Sequence, residues 1–127
     1  MFSITNENIK NINIIRVQGD LTSDNIKLIK NEFAVDDVKI KNSIFDLEHL
    51  EMIDSTGLSY IINCLKLAIQ NNVEIKLLNL NNQPKVIFEI TRVDSLFELY
   101  EDEKEAISSF NKELYNESNH TNMWQSA

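Results

Sequence analysis

The clearest indication of the fold lies in residues 43–70, which read SIFDLEHLEMIDSTGLSYIINCLKLAIQ. This stretch opens with the apolar run 43–47, which is typical of a short buried strand. Residues 48–53 are expected to form a loop that leads into the turn Asp54-Ser55-Thr56-Gly57. The apolar residues that follow recur at helical spacing and share one face: Leu58, Ile61, Ile62, Leu65, Ala68 and Ile69. The pattern therefore predicts a strand, a tight turn and an amphipathic helix.

Upstream of this stretch, the sequence predicts a hairpin of two strands and then a helix. Phe2 and Ile4 alternate with polar residues, and residues 12–17 are largely β-branched. The short polar link over residues 6–11 makes an antiparallel pair the expected arrangement. After Gly19-Asp20, Ser23 is a suitable cap for a first helix near residues 23–34. Its apolar positions are Ile26, Ile29 and Phe33, and residues 36–42 are expected to be a loop.

Downstream of residue 70, two further strands alternate with two further helices. Residues 73–80 alternate apolar and polar side chains in the manner of a strand. Pro84 fits the first turn of a short helix that carries Val86, Ile87 and Ile90. Residues 95–100 predict a last short strand. The acidic residues 101–103 favour the start of a final helix with its apolar face on Ala106, Ile107, Phe110 and Leu114.

The predicted order is therefore β-β-α-β-α-β-α-β-α, and it indicates an α/β protein. Alternating strands and helices after a hairpin are typical of one mixed sheet with a mainly parallel core. We expect a single domain over residues 1–115 with four helices, followed by a flexible C-terminal tail over residues 116–127.

The composition favours a globular chain that avoids nucleic acids and membranes. The 127 residues include 20 acidic and 12 basic side chains, which give a net charge of −8. Such a chain is repelled by phosphate backbones and anionic lipids, whereas a basic surface on a partner protein would attract it. The start of the chain lacks the pattern of a signal peptide, and no apolar run approaches the ~20 residues of a membrane span. We expect a soluble, cytoplasmic protein with no inserted segment.

The residues that carry out most enzyme chemistry are scarce in this sequence. The two histidines are His49 and His120, and neither has a neighbouring partner of the kind that a hydrolytic triad requires. The single cysteine, Cys64, lies on the apolar face of the predicted helix and is expected to belong to the core. Only two glycines are present, which excludes a glycine-rich phosphate loop. We therefore expect no catalytic residue, no metal and no cofactor.

Several acidic residues leave one alternative open. Asp20, Asp46, Glu48, Glu51 and Asp54 could gather around a magnesium ion, as the aspartates of receiver-type phosphoacceptor domains do. Such domains have an acidic pair directly after the first strand, and this sequence has none before Gly19. The interpretation that these acids are solvated loop residues is therefore favoured.

The turn at residues 54–57 is the strongest candidate for a functional site. From the residues alone, a simple helix cap provided by Asp54 or Ser55 is the favoured interpretation, with Gly57 allowing a close backbone approach. The alternative is a regulatory site, because two hydroxyls follow a carboxylate at the start of a helix. A phosphoryl group there would add a charge of about −2, which the positive end of the helix dipole tolerates.

The sequence also resembles a known family at these positions. Residues 44–47 and the segment Met52-Ile53-Asp54-Ser55-Thr56-Gly57-Leu58 resemble the signature of STAS domains, most closely that of the anti-sigma factor antagonists. Gly19-Asp20-Leu21 is similar to the glycine-acidic-leucine turn of that family. The likeness covers roughly residues 2–115 in the order of its elements.

This resemblance implies a bacterial phosphoprotein that regulates transcription by partner switching. The unphosphorylated form would bind an anti-sigma factor that is also a serine kinase, and the sigma factor would be released. The kinase, which supplies ATP and magnesium, would phosphorylate Ser55 (with Thr56 the second candidate) and end the binding, and a phosphatase would reset the protein. The residues expected to contact the partner are Asp20, Asp54, Ser55, Thr56, Gly57, Leu58 and Tyr60.

A second role within the same family is also open. Some STAS domains are subunits of lipid-transport ABC complexes, where no phosphorylation is required. That role would predict a stable complex with an ATPase and no phosphate on Ser55.

Overall fold

The computed structural model describes residues 1–32 and 37–111. Its strands are β1 Ser3–Ile9, β2 Ile12–Leu21, β3 Ser43–Asp46, β4 Leu50–Ile53, β5 Ile75–Leu78 and β6 Leu99–Tyr100. Its helices are α1 Ser23–Glu32, α2 Asp37–Ile40, α3 Ser55–Gln70 and α4 Asn82–Ile90, followed by helical residues 103–111, here called α5. Phe33, Leu114 and the predicted tail over 116–127 lie outside the described residues.

The strands form a mixed sheet, as the sequence predicts. β1 and β2 pair antiparallel as a hairpin, and the sheet continues in parallel through β3, β5 and β6. β4 also lies parallel to β2, but beside the end of β2 that β3 does not reach. The carboxyl ends of β2 and β4 therefore meet directly before α3, which starts at Ser55.

The turn of the hairpin is shorter than the polar stretch 6–11 suggests. β1 extends to Ile9, and only Lys10 and Asn11 form the turn, both with positive φ (51° and 65°). Two consecutive residues of this conformation are typical of the tight hairpin turn that matches strand twist. The polar residues before the turn belong to an edge strand that is exposed along most of its length.

Apolar residues cover both faces of the sheet because successive strand residues point to opposite sides. On one face, residues such as Ile15, Phe45 and Leu77 pack with α1, α3 and α4 in the larger core cluster. On the other face, a smaller cluster joins strand residues to the apolar side of α5. Its strand residues are Ile12, Ile14, Ile44 and Leu78, and its α5 residues are Ala106, Ile107 and Phe110. Covering both faces buries strand residues that a one-sided sheet would expose.

Downstream of the hairpin and β2, the structure also differs from the predicted elements. Residues 37–40 form the short helix α2 within the expected loop, so residues 1–32 and 37–111 contain five α-helices where the sequence predicts four for the domain. Residues 50–53 form β4 instead of a loop, because Leu50 and Ile53 are buried against the end of β2. The predicted strand over 95–100 is reduced to Leu99–Tyr100, and a 3-10 turn over Val93–Leu96 precedes it.

Candidate functional site

The turn before α3 is organised by the carboxylate of Asp54. Asp54 has extended backbone and is the N-cap of α3, and its Oδ1 accepts a hydrogen bond from the Gly57 N–H at 2.8 Å. Its backbone carbonyl accepts from the Leu58 N–H, which closes the first helical turn. The sequence-based interpretation that Asp54 caps this helix is confirmed in its geometry.

The second carboxylate oxygen of Asp54 reaches a different helix. Oδ2 accepts a hydrogen bond from the backbone N–H of Ser23, the first residue of α1, at 2.9 Å. One side chain thus satisfies a free N–H at the start of both α1 and α3, each of which carries partial positive charge. These backbone N–H groups hold the pKa of Asp54 below its ordinary value, so the group is a carboxylate at neutral pH.

Gly57 allows α3 to approach the end of β2. A Cβ placed on Gly57 would lie 2.0 Å from the carbonyl oxygen of Leu21, which is far inside van der Waals contact. The same carbonyl accepts a hydrogen bond from the Asp54 N–H at 3.3 Å. The close approach of helix and strand, rather than an unusual backbone conformation, is therefore the reason for glycine at this position.

Gly19 is needed at the other family-like turn for a different reason. Its φ is +86°, in the region that side chains rarely adopt, and an added Cβ would lie 1.8 Å from the carbonyl oxygen of Met1. Its N–H donates to the carbonyl of His49, and the pairing between β2 and β4 shifts register at this point. Asp20, which follows, is exposed at the same end of the sheet.

The two hydroxyl residues of the turn face solvent. Ser55 is the first residue of α3 and Thr56 the second, and both are exposed, whereas the preceding Asp54 carboxylate is directed toward backbone N–H groups. Glu51, in the preceding strand β4, is exposed as well. The turn therefore presents two hydroxyls at a helix N-terminus, directly after the Asp54 carboxylate.

The remaining residues predicted to contact a partner lie partly inside. Gly57 is buried and Leu58 is only 8% exposed, so these two residues support the turn from within and offer no side chain at the surface. Tyr60 is half-buried, and its shielded hydroxyl interacts electrostatically with the buried Cys64 thiol without a hydrogen bond of ordinary geometry. Burial raises the pKa of the Tyr60 hydroxyl. The exposed part of the predicted set is therefore Asp20, Ser55 and Thr56, with Asp54 and Tyr60 partly exposed.

Cys64 lies in the core, as its place on the apolar face predicts. It is fully buried one helical turn beyond Tyr60, and burial raises the pKa of its thiol to about 11. The thiol is therefore protonated at neutral pH and is a poor nucleophile.

The acidic residues considered as magnesium ligands are distributed over different surroundings. Asp46 is buried in β3 and pairs with Arg16 at 2.8 Å, which differs from the expected solvated loop acid. Arg16 also contacts Glu103 of α5 and Glu7 of β1, and so ties α5 to the sheet. Over residues 1–32 and 37–111, no three His, Cys, Asp or Glu side chains group in a way that could hold a metal ion.

Gln83 at the start of α4 is the residue that sequence reasoning did not find. Its side-chain amide makes two hydrogen bonds to the backbone of Ile53, the residue before Asp54. A glutamine in a polar stretch of asparagines carries no local pattern that indicates such a contact. Only the three-dimensional arrangement of α4 against β4 reveals it.

These features describe a small α/β domain protein that carries a hydroxyl-bearing turn at the carboxyl end of its sheet. The STAS domain family model matches residues 3–106. The chain belongs to the STAS domain family. Within the part of the chain that the structure describes, no helix has the length and apolarity to cross a membrane.

Solved structures of anti-sigma factor antagonists share this fold at low sequence identity. A putative antagonist from Thermotoga maritima is 20% identical with a TM-score of 0.72, over 84% of this chain and 92% of that one. The antagonist SpoIIAA in its unphosphorylated form is 18% identical with a TM-score of 0.73, over 87% and 97%. Bacillus SpoIIAA in its phosphorylated form is 20% identical with a TM-score of 0.64, over 87% and 99%. These likenesses establish the fold.

Proposed function

We propose that this protein is an anti-sigma factor antagonist, in which the turn at residues 54–57 binds an anti-sigma factor that is also a serine kinase. Phosphorylation of Ser55 ends the binding, and a phosphatase restores it. The protein acts by binding and not by catalysis, with ATP and magnesium held by the partner. The observation that carries this proposal is the different environment of two adjacent residues. The Asp54 carboxylate is bonded to backbone N–H groups and holds the turn in place, whereas Ser55 is exposed and accessible to another protein.

The position of Ser55 suits reversible modification. A phosphoryl group on the first residue of α3 lies at the positive end of a helix dipole, so the fold tolerates the added charge. The solved forms of SpoIIAA support this, because unphosphorylated and phosphorylated structures both match the present fold. Modification here is therefore expected to change the surface and not the fold.

The same phosphoryl group would oppose a partner seated on the turn. A phosphoryl charge of about −2 would enter a packed interface directly beside the carboxylate-bearing residue Asp54. A cost of only about 2–3 kcal/mol weakens binding roughly 30- to 150-fold, which is enough to exchange one partner for another. The net charge of −8 favours a basic surface on that partner.

A binding experiment with charged variants tests the proposal. Immobilised wild-type protein, Ser55→Asp and the matched control Ser108→Asp are exposed to extract from the source cells, and retained proteins are identified by mass spectrometry. Ser108 is an exposed serine of α5, which covers the opposite face of the sheet from α3, so its variant adds the same charge away from the turn. Thermal unfolding of all three establishes that each is folded.

We expect wild type and Ser108→Asp to retain an ATP-binding serine kinase and Ser55→Asp to retain at least about 30-fold less. Equal retention by Ser55→Asp would contradict the switch. Equal retention of a transport ATPase by all three proteins would instead favour the non-phosphorylated STAS subunit of a lipid-transport ABC complex.

A further inference from the structure

Gln83 is bonded to the strand that leads into the Ser55 turn. The Ile53 N–H donates to Gln83 Oε1 at 2.9 Å, and Gln83 Nε2 donates to the Ile53 carbonyl at 3.1 Å. A primary amide presents an acceptor and a donor side by side, as a peptide group does. The side chain of Gln83 therefore takes the place of a neighbouring strand at the free edge of β4.

This edge needs a partner because β4 is short and, among the residues that the structure describes, pairs with no strand other than β2. Alternate residues of a strand direct their backbone groups to opposite edges. The Asp54 N–H accordingly bonds to Leu21 of β2, while both backbone groups of Ile53 face Gln83. The backbone is thus held at both edges directly before the turn, by Gln83 at Ile53 and by Leu21 at Asp54, and Ile53 itself is only 3% exposed.

The other end of this contact is rigid as well. Gln83 is the second residue of α4, whose position is fixed by the buried side chains Pro84 and Phe88. Phe88 packs against Phe97 with ring centroids 6.5 Å apart. The amide of Gln83 therefore joins the backbone before the turn to a helix that is anchored in the core.

We propose that Gln83 is a positioning residue for the turn at residues 54–57. By holding Ile53, it sets where the Asp54 carboxylate lies relative to the N–H groups of Gly57 and Ser23, and so how Ser55 is presented. The consequence for Ser55 rests on the proposed function, whereas the positioning of the turn does not.

The variant Gln83→Glu tests this positioning role, because its effect on the turn should be reversed when the introduced carboxylate is protonated. Above its pKa, the introduced carboxylate still accepts from the Ile53 N–H but opposes the Ile53 carbonyl oxygen. When protonated, the carboxyl group again offers one donor and one acceptor, as the amide does. The matched control is Gln70→Glu, at the exposed last residue of α3, which adds the same charge away from the turn.

The readout is amide hydrogen exchange measured by NMR, expressed as protection factors, for the isolated protein between about pH 4 and pH 8. At about pH 8, Gln83→Glu is expected to lower the protection of Gly57 and Ser23 about tenfold, the size of one lost hydrogen bond. Protection of Phe45 and Leu77 in the central strands is expected to stay within about twofold, and protection of the turn to return as the pH falls.

Unchanged protection of Gly57 and Ser23 at about pH 8 would overturn the proposal. An equal fall at Phe45 and Leu77 would also overturn it, because Gln83 would then contribute only to global stability. The same loss of protection at Gly57 and Ser23 in Gln70→Glu would show that added charge alone causes the effect, which would also overturn the proposal. A failure of the proposed function, with Ser55 never phosphorylated, would leave these exchange results as they stand, so the two outcomes are distinguishable.

Discussion

Asp54 accepts hydrogen bonds from the first turn of α3 and from the first residue of α1. Asp54→Ala removes both contacts and is expected to lower the free energy of unfolding at neutral pH by about 1–2 kcal/mol. Chemical denaturation measures this loss. Glu51→Gln is the control, since Glu51 is exposed, and a change of less than about 0.5 kcal/mol is expected there. A loss in the control equal to that in Asp54→Ala would indicate a general charge effect instead of a cap.

The contribution of Asp54 has a definite pH dependence. Its pKa is lowered in the folded state by backbone N–H groups, chiefly those of Gly57 and Ser23. The stabilisation is therefore fully present above the ordinary aspartate pKa of about 4 and is lost as the pH falls through the lower folded value. We expect the stability difference between wild type and Asp54→Asn to shrink in acid. A difference that grows on acidification would contradict this assignment.

For Gly57→Ala, the sign of the stability change distinguishes a tight contact with β2 from an ordinary helix position. Replacing glycine by alanine inside a helix usually stabilises by up to about 1 kcal/mol. At Gly57 the new Cβ would meet the Leu21 carbonyl at 2.0 Å, so Gly57→Ala is expected to destabilise by at least about 2 kcal/mol. Thermal unfolding beside Ser59→Ala, an exposed site on the same helix, measures the difference. A stabilised Gly57→Ala would show that α3 does not press against β2.

The same residues show what the sequence contains at this scale. The cap at Asp54 depends on neighbours in the chain, so a local pattern predicts it. A glycine at position 57 indicates a close backbone approach, but the local pattern does not show that the Leu21 carbonyl is what it approaches. The contacts of Asp54 with Ser23 and of Gln83 with Ile53 span 31 and 30 residues. No local pattern encodes such distances, and these contacts become visible only when β2, β4 and α4 have been assembled.

In helix α4, the apolar residues that the sequence suggests as the buried face are not the ones that the structure buries most. Val86 and Ile90 are half or more exposed, whereas Pro84 and Phe88 form the buried side. Phe88→Ala is therefore expected to cost about 3–5 kcal/mol. Ile90→Ser is expected to cost less than about 1 kcal/mol, since little apolar surface is removed from the core. Urea denaturation measures both losses of unfolding free energy. A larger loss for Ile90→Ser than for Phe88→Ala would show that the buried face of α4 has been assigned incorrectly.

Strand β5 illustrates a second limit at the element scale. Lys76 alternates with Ile75 and Leu77, a pattern typical of a strand with one solvated face. In the structure α5 covers that face, and Lys76 is buried with its Nζ donating to Ser109 Oγ at 2.7 Å and lying over the ring of Phe110. The helix pattern over residues 103–111 was predictable, but the face of the sheet that it covers was not.

For the whole molecule, the order of the longer strands and helices was predictable from periodicity, and the mixed sheet from the way these elements alternate along the chain. The short strand β4 and the short helix α2 were not, because four residues carry too little pattern to separate them from loops. Membership of the STAS domain family accounts for the arrangement as a whole. The partner and the modification are proposals that the fold alone does not supply.

The net charge leads to a prediction for the complex. With −8 on the chain, association with a basic partner surface is expected to be accelerated by long-range attraction. The association rate with the captured kinase should therefore fall as salt rises, while the dissociation rate changes little. Surface plasmon resonance over a range of ionic strength measures both rates. An association rate that is independent of salt would argue against a basic partner surface.

The proposed switch at Ser55 can be examined directly by phosphosite mass spectrometry on the protein isolated from its own cells. We predict phosphate on Ser55, or on the neighbouring Thr56, with an occupancy that changes with growth conditions. An occupancy of zero at both residues under every condition would contradict the switch, and the turn would then be a helix cap within a permanent interface.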